Sequence, residues 1–428
     1  MLVCIACGQR YGLERRHLQC DCGGLLDVWL DLAPLRGRVT HVTFDQRLGA
    51  TTLPHCSGVW RYRELLFPVR DEAIVSRPEG NTNLYRSARL GRWVGLDDLQ
   101  LKHEGENPTG SFKDRGMTTG TTHAKILGAR YVVCASTGNT AASMASYAAL
   151  SGLRALLLIP AGAISYGKLS QALAYGARTV QVDGDFDAAM ALVRALSQRD
   201  DIYVLNSLNP FRVEGQKSIA FELLQQRGWQ PPDWIVVPGG NLANGAAIGK
   251  ALYELREIGL LVRLPRLAVI QAAGANPLYR AYKADFRHFE PVHAATIASA
   301  IRIGRPVSYE RAVRALRWTD GVVEQVSDAE IMDAKAQVDA AGIGCEPASA
   351  AAVAGVRRLG AAGVIRRGES AVAILTGHLL KDPDATLSYH LDRLPDLRPA
   401  HANPPVTIAP DPAALERLLA TEATAHAG

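Results

Sequence analysis

The chain has 428 residues, 48% of them hydrophobic and 21% charged, and carries a net charge of +5. This balance suits one large core or two domains and excludes a disordered or collagen-like chain. No apolar run reaches the roughly 20 residues of a membrane-spanning helix, and the positive charge forms no block, so neither membrane nor nucleic acid is an expected partner.

Four of the seven cysteines, Cys4, Cys7, Cys20 and Cys22, stand in the first 22 residues. The opening stretch lacks the order of a secretory signal, so a cytoplasmic location is expected, where reduced thiols favour metal over disulfides. The spacing C-x2-C followed by C-x-C predicts a zinc-ribbon-like segment over 1–30, with four thiolates around a structural zinc and Gly8, Gly23 and Gly24 at the tight turns. The second pair departs from the commoner C-x2-C, and a vestigial ribbon with free thiols is the alternative. Cys56, Cys134 and Cys345 read as small apolar residues. Residues 31–79 form an irregular connector.

From about residue 80, β-rich runs alternate with helical patterns. Strands are predicted over 98–104, 130–136, 154–160, 178–184, 202–207, 233–239, 266–273 and 370–377. Helices are predicted over 111–127, 139–151, 166–175, 185–199, 214–227 and 244–259. The alternation predicts an α/β architecture with open, mostly parallel sheets flanked by helices. The tail over 397–428 is Pro-rich and extended until a last helix at 412–421.

In such sheets ligands gather where strands end and helices begin, and four of these turns are unusual. In "HEGENPTGSFKDRGM", Asn107 to Gly110 reads as a turn, and Ser111 with Asp114 as a capping-box variant. Lys113 then falls in the first helical turn, at the positive end of the helix dipole, where burial and the dipole field favour a neutral amine nucleophile. An ordinary exposed lysine is the plainer reading. In "CASTGNTAAS", hydroxyls, an amide and free backbone N–H groups make an anion site, or simply a Ser/Thr cap. In "VVPGGNLANGAAIGK", the Gly-rich turn could wrap a phosphate but fits neither the dinucleotide fingerprint nor the P-loop. In "ILTGHLLKDPD", Thr376 ends a strand, where its hydroxyl could face a ring nitrogen.

Together these motifs resemble the threonine synthase family, of the pyridoxal-phosphate fold type shared with tryptophan synthase β chains and threonine dehydratases. "NPTGSFKDRGM", "STGNTAAS", "NSLNPFRVEGQK", "QAAGANP", "TIASAIRIGRP", "EPASAAAVAG" and "TGHLLKDPD" occur in the family's order over about residues 80–385. The resemblance implies a two-domain tryptophan synthase β-like fold. Its large α/β domain would comprise 80–112 and 202–396, with a small domain, 113–201, inserted between them. It implies pyridoxal phosphate bound through Lys113, also the proton shuttle, with Asn139 on the phenolic oxygen and Thr376 on the pyridine nitrogen. Gly240, Asn241, Leu242, Ala243 and Asn244 would cradle the cofactor phosphate. Ser136, Thr137 and Thr140 would hold the substrate's carboxylate end and part of its phosphate, and Asn206, Ser207 and Arg212 would complete the phosphate pocket. The implied reaction is O-phospho-L-homoserine plus water to L-threonine and phosphate, the last step of threonine biosynthesis, in a homodimer.

Two positions depart from the family pattern. Ala243 and Leu379 stand where glycine is usual, and an alanine forced to φ > 0 would carry about 1 kcal/mol of strain. Replacement chemistry on O-phosphoserine is the nearest alternative activity. A non-catalytic pyridoxal-phosphate-binding homologue and a zinc-ribbon interaction protein are the alternatives from other classes.

Overall fold

The computed structural model describes residues 1–16, 18–161, 166–184, 186–197 and 199–426. The N-terminal ribbon is a three-stranded antiparallel sheet in which β1 (Leu2–Cys4) pairs with β2 (Arg10–Tyr11) and β3 (Leu26–Val28). Its apolar side is not a separate core. Leu2, Leu26 and Val28 are buried in the same cluster as Leu205 and Phe211 of the α/β body. The connector is irregular apart from α1 (His41–Asp45) and three short 3-10 turns, yet it too is core, because Phe44, Trp60 and Tyr62 are fully buried.

Beyond it the chain alternates: β4 (Leu84–Arg86), α2 (Ala88–Val94), β5 (Asp98–His103), α3 (Lys113–Ile126), β6 (Tyr131–Ala135), α4 (Asn139–Ser151), β7 (Arg154–Pro160), α5 (Tyr166–Ala174) and β8 (Arg178–Val182). Then come α6 (Phe186–Leu196), β9 (Ile202–Val204), α7 (Pro210–Gln226), β10 (Trp234–Pro238), α8 (Ala243–Glu257), β11 (Arg266–Ala272) and α9 (Pro277–Lys283). The last third holds α10 (Tyr309–Trp318), β12 (Val322–Val326), α11 (Asp328–Ala340), α12 (Pro347–Ala361), β13 (Ser370–Leu375), α13 (Pro383–His390) and α14 (Pro412–His426).

The large sheet has the order β12-β11-β10-β13-β5-β4, parallel except for the antiparallel edge strand β4. A second, wholly parallel sheet runs β8-β7-β6-β9. β10 and β13 are central and covered on both faces, which is why "WIVVP" and "SAVAIL" read as continuous apolar runs. The strands predicted from 98 onward are all present, several one to three residues shorter at their carboxyl ends, where the polar turns begin.

Some elements differ from the sequence reading. The alternation left 274–369 unassigned, and the structure places α9, α10, β12, α11 and α12 there. "VVEQV" is too polar to stand out as a strand, and the Ala-rich α12 is buried nearly all round, so it shows no amphipathic period. α7 starts four residues before the predicted 214, because Asn209 Oδ1 accepts the Phe211 N–H and Pro210 occupies the first turn. Positions 185 and 198 of the predicted helix 185–199 lie outside the described residues. β9 hydrogen-bonds to β6 and so belongs to the small sheet. No helix among the described residues is long and apolar enough to cross a membrane.

Candidate active site

The carboxyl ends of β5, β10 and β13 lie side by side in the large sheet, and those of β6 and β9 in the small one. The segment after β5 is zipped onto the end of β13. Phe112 N–H donates to Thr376 O at 3.0 Å, His378 N–H to Gly110 O at 2.9 Å, and Ser111 bridges Gly377. Gly110, at φ +84, makes the turn that delivers Lys113 to the first position of α3.

The expected capping box between Ser111 and Asp114 is not formed. The Asp114 carboxylate reaches back to Thr109, accepting its N–H and its hydroxyl at 2.7 Å each, and accepts the Ser143 hydroxyl of α4. Burial outweighs these hydrogen bonds and raises Asp114 to about 6. Ser111 Oγ is left buried without a partner.

The Lys113 ammonium stands 3.6 Å from the centre of the Phe112 ring. Burial, reinforced by the positive charges of Arg212 and Lys381 and opposed by Glu346, brings it down to about 7. A fully buried ion network anchors the same helix: Arg115 donates to Glu104 at 2.6 Å and to Glu222 at 2.8 Å, and Lys102 reaches Glu222 at 2.6 Å. Arg115→Ala leaves Glu104 buried without its cation and Glu222 with Lys102 alone, so a loss of about 3–5 kcal/mol of unfolding free energy is expected. Chemical denaturation measures it, and a loss under about 1 kcal/mol would contradict the anchoring role.

Thr376 Oγ1 shares a 3.0 Å hydrogen bond with Ser349 Oγ, and Asn139 Nδ2 donates to Glu346 Oε2 at 3.0 Å. Glu346 also faces the Thr376 hydroxyl at 3.4 Å and packs against Gly377 so closely that a Cβ there would meet its carboxyl carbon at 2.4 Å. Burial raises the Glu346 carboxyl above its ordinary range. Sequence reasoning gave no role to Glu346, nor to Lys381, whose ammonium donates to Gln171 on α5 and is lowered by burial. Both lie in quoted motifs; the available signal was an acid directly before a helix-starting proline and a lysine after the Thr-Gly-His turn.

After β10, Gly240 and Asn241 lead to Leu242, and α8 begins at Ala243. The left-handed residue is Leu242, at φ +67, so any strain of about 1 kcal/mol falls there. Ala243 is helical and carries none, which corrects the concern raised for it. Leu379 opens a short 3-10 turn, Leu379–Lys381. Asn244 is buried with both side-chain polar atoms unpartnered. Asn241 Nδ2 donates to Ser207 Oγ at 3.2 Å, joining this loop to the one after β9.

Asn206 Oδ1 accepts Ala135 N–H at 3.2 Å, clamping the loop after β9 to the end of β6. Ser136, Thr137 and Thr140 stand half-buried on the following turn, with Ser136 Oγ accepting Gly138 N–H. Arg212 is buried on α7 against α3, donates to Leu205 O at 3.0 Å, keeps its Nε unpaired, and is lowered by burial to about 10.

The four ribbon sulfurs all lie within 4.8 Å of one another, Cys4 to Cys22 and Cys7 to Cys20 at 3.6 Å. Tetrahedral thiolates about 2.3 Å from zinc stand about 3.8 Å apart, so the spacing fits. The Tyr11 hydroxyl, 3.1 Å from Cys20 Sγ, helps lower that thiol to about 6.

The unpaired polar groups of Ser111, Arg212 and Asn244, a lysine near neutrality and the start of α8 fit an anionic group that binds an amine. The pyridoxal-phosphate dependent enzyme family matches the chain over residues 75–377. Threonine synthase of Methanocaldococcus jannaschii is 46% identical over 387 residues, 90% of this chain and 93% of the relative. That of Methanosarcina acetivorans is 45% identical over 90% of this chain and 93% of its own length. The chloroplastic threonine synthase 2 of Arabidopsis thaliana is 41% identical over 94% of this chain and 80% of its own. Among solved structures, the processed form of threonine deaminase isoform 2 from Solanum lycopersicum superposes with a TM-score of 0.62 at 21% identity, over 73% of this chain and 84% of that one. That likeness speaks for the fold alone.

Proposed function

The chain belongs to the threonine synthase family of pyridoxal-phosphate dependent enzymes, and we propose that it converts O-phospho-L-homoserine and water to L-threonine and phosphate at the site around Lys113. The observation that carries the substrate reading is Arg212, a buried guanidinium with an unpaired Nε that acts electrostatically on Lys113. A guanidinium fork matches the oxygens of a phosphate ester, and in this reading the Ser136, Thr137 and Thr140 turn is left for the substrate's carboxylate end.

Lys113 would hold pyridoxal phosphate, with its phosphate at Gly240 to Asn244, its phenolic oxygen at Asn139 and its ring nitrogen at Thr376. Once bound, that cofactor supplies an electron sink that acidifies the substrate's Cα and then Cβ. Lys113, held near neutrality, takes the Cα proton and later returns it. Loss of a Cβ proton sends the Cγ–O electron pair out with phosphate, which Arg212 and Ser207 receive. Protonation at Cγ and addition of water at Cβ place the new hydroxyl. Ser136, Thr137 and Thr140 hold the carboxylate end and part of the phosphate, with Asn206 keeping their turn in place. Thr376 would offer the ring nitrogen a neutral hydroxyl rather than a carboxylate.

Purified protein should release phosphate from O-phospho-L-homoserine with one threonine per phosphate, and none from O-phosphoserine. Release from phosphoserine alone would overturn the substrate assignment.

The same proposal includes a structural zinc on Cys4, Cys7, Cys20 and Cys22, a homodimer, and a cytoplasmic location. Protein prepared without chelator should carry about one equivalent of zinc. Cys4→Ser should lose the metal and melt earlier while keeping turnover at saturating substrate. Metal-free wild-type protein would contradict the zinc. Light scattering at twice the chain mass supports the dimer, and a monomer mass counts against it.

A further inference from the structure

We propose that strand β3 of the ribbon, acting through Arg311, positions both phosphate-holding loops, so that the N-terminal segment sets the affinity for phosphate. The proposal rests on the reading of Ser207, Arg212 and Gly240 to Asn244 as phosphate-holding groups.

Arg311, on α10, is 1% exposed. One of its nitrogens, Nη2, donates to Leu26 O in β3 and, at 3.4 Å, to Leu208 O, the carbonyl directly after Ser207. Nη1 reaches Ser308 Oγ at 3.5 Å. Ser308 N–H in turn donates to Asn241 O at 3.1 Å, Val307 N–H to Asn241 Oδ1 at 3.2 Å, and Asn241 Nδ2 to Ser207 Oγ at 3.2 Å. A closed circuit therefore runs from Arg311 through Leu208 and Ser207 to Asn241 and back through Ser308. The ribbon enters it at the Leu26 carbonyl.

β3 is itself held to the helices that carry these loops. Asp27, buried between Leu26 and Val28, pairs with Arg314 of α10 and with Lys250 of α8 at 3.2 Å. Lys250 also donates to Val28 O and pairs with Glu214 of α7 at 2.5 Å. The first turn of α8 lies in the cofactor-phosphate loop, and Arg212 stands on α7, two residues before Glu214. A buried guanidinium that donates to carbonyls of separate segments constrains their spacing, because each carbonyl that moves leaves a further charged donor unpaired beside an Nε that already has no partner. Without the Leu26 carbonyl, Arg311 would have to be satisfied at the expense of Leu208 or Ser308, and the Ser207–Asn241 contact would shift with them.

The experiment uses holoenzyme of the full chain: wild type, Arg311→Ala, Arg311→Lys, Asp27→Asn, Arg212→Ala, and Arg36→Ala as an exposed control away from the circuit. Each is titrated with inorganic phosphate by calorimetry and assayed for kcat and KM with O-phospho-L-homoserine, alongside its melting midpoint. Removing the Arg311 hydrogen bonds, or weakening the Asp27 ion pairs that hold β3, predicts about tenfold weaker phosphate binding and a similar rise in KM for Arg311→Ala and Asp27→Asn, with kcat within about twofold and Arg311→Lys partly restored. Arg36→Ala should bind phosphate as wild type does. Lower melting midpoints with unchanged phosphate affinity in Arg311→Lys and Asp27→Asn would overturn the proposal, since a purely structural strand does that. If Arg212→Ala binds phosphate as well as wild type, the phosphate-pocket reading falls instead. Should Arg311→Ala fail to fold, Asp27→Asn and Arg311→Lys carry the test.

Discussion

Lys113→Ala should abolish turnover, by at least about a thousandfold, and remove the absorbance near about 410–420 nm that a lysine-bound pyridoxal phosphate gives. Two roles meet in this side chain, the attachment of the cofactor and the transfer of the Cα proton, so neither is recovered by a neighbour. The geometry explains why this lysine is suited to both. It opens α3 at the positive end of the helix dipole, and burial beside Arg212 and Lys381 brings it down to about 7. An exposed lysine, near 10.4, would be protonated and inert at neutral pH. A variant that keeps the absorbance and more than about a tenth of the activity would contradict the assignment.

The second large effect is at Arg212. Arg212→Ala should lower kcat/KM for the phosphorylated substrate by about two to three orders of magnitude, the cost of leaving a buried phosphate without its charged partner. Arg212→Lys recovers only part of it, because an ammonium cannot supply the planar fork. A second readout separates this from simple misfolding. The Arg212 charge holds Lys113 down, so its removal lets the Lys113 amine rise above about 7. A group that must be unprotonated to act then requires a higher pH, and the acid limb of the kcat profile moves to the alkaline side. An unchanged limb with wild-type kcat/KM would show that Arg212 touches neither the substrate nor the lysine.

Much of the site was legible because its residues fall in contiguous turns. The 136–140 turn, the 240–244 loop and Thr376 each follow a strand whose apolar run is plain in the sequence, Lys113 follows the more polar β5 through the Asn107–Gly110 turn, and parallel sheets bring such ends together. What lies in a residue's partner was not legible. Glu346 looks like an ordinary acid before a proline, and only the fold shows its carboxylate facing Asn139, 207 residues away in the chain, and the Thr376 hydroxyl. The clamp of the Asn206 amide on the Ala135 backbone was equally invisible in the sequence. The capping box failed for a related reason: the Asp114 carboxylate found better donors at Thr109 and Ser143 than the cap geometry offered. The ribbon was legible as four cysteines but read as an appendage. Its burial in the common core, and the contact of Arg311 with Leu26, needed coordinates.

The central claim is that phosphate leaves carbon, with water entering at the adjacent carbon under the control of Lys113. Running the reaction with O-phospho-L-homoserine in water enriched in the heavy oxygen isotope tests it most directly. Threonine should carry one heavy oxygen in its hydroxyl and the released phosphate none, because the Cγ–O bond breaks. Heavy oxygen in the phosphate, with homoserine as product, would mean cleavage at phosphorus and would contradict it.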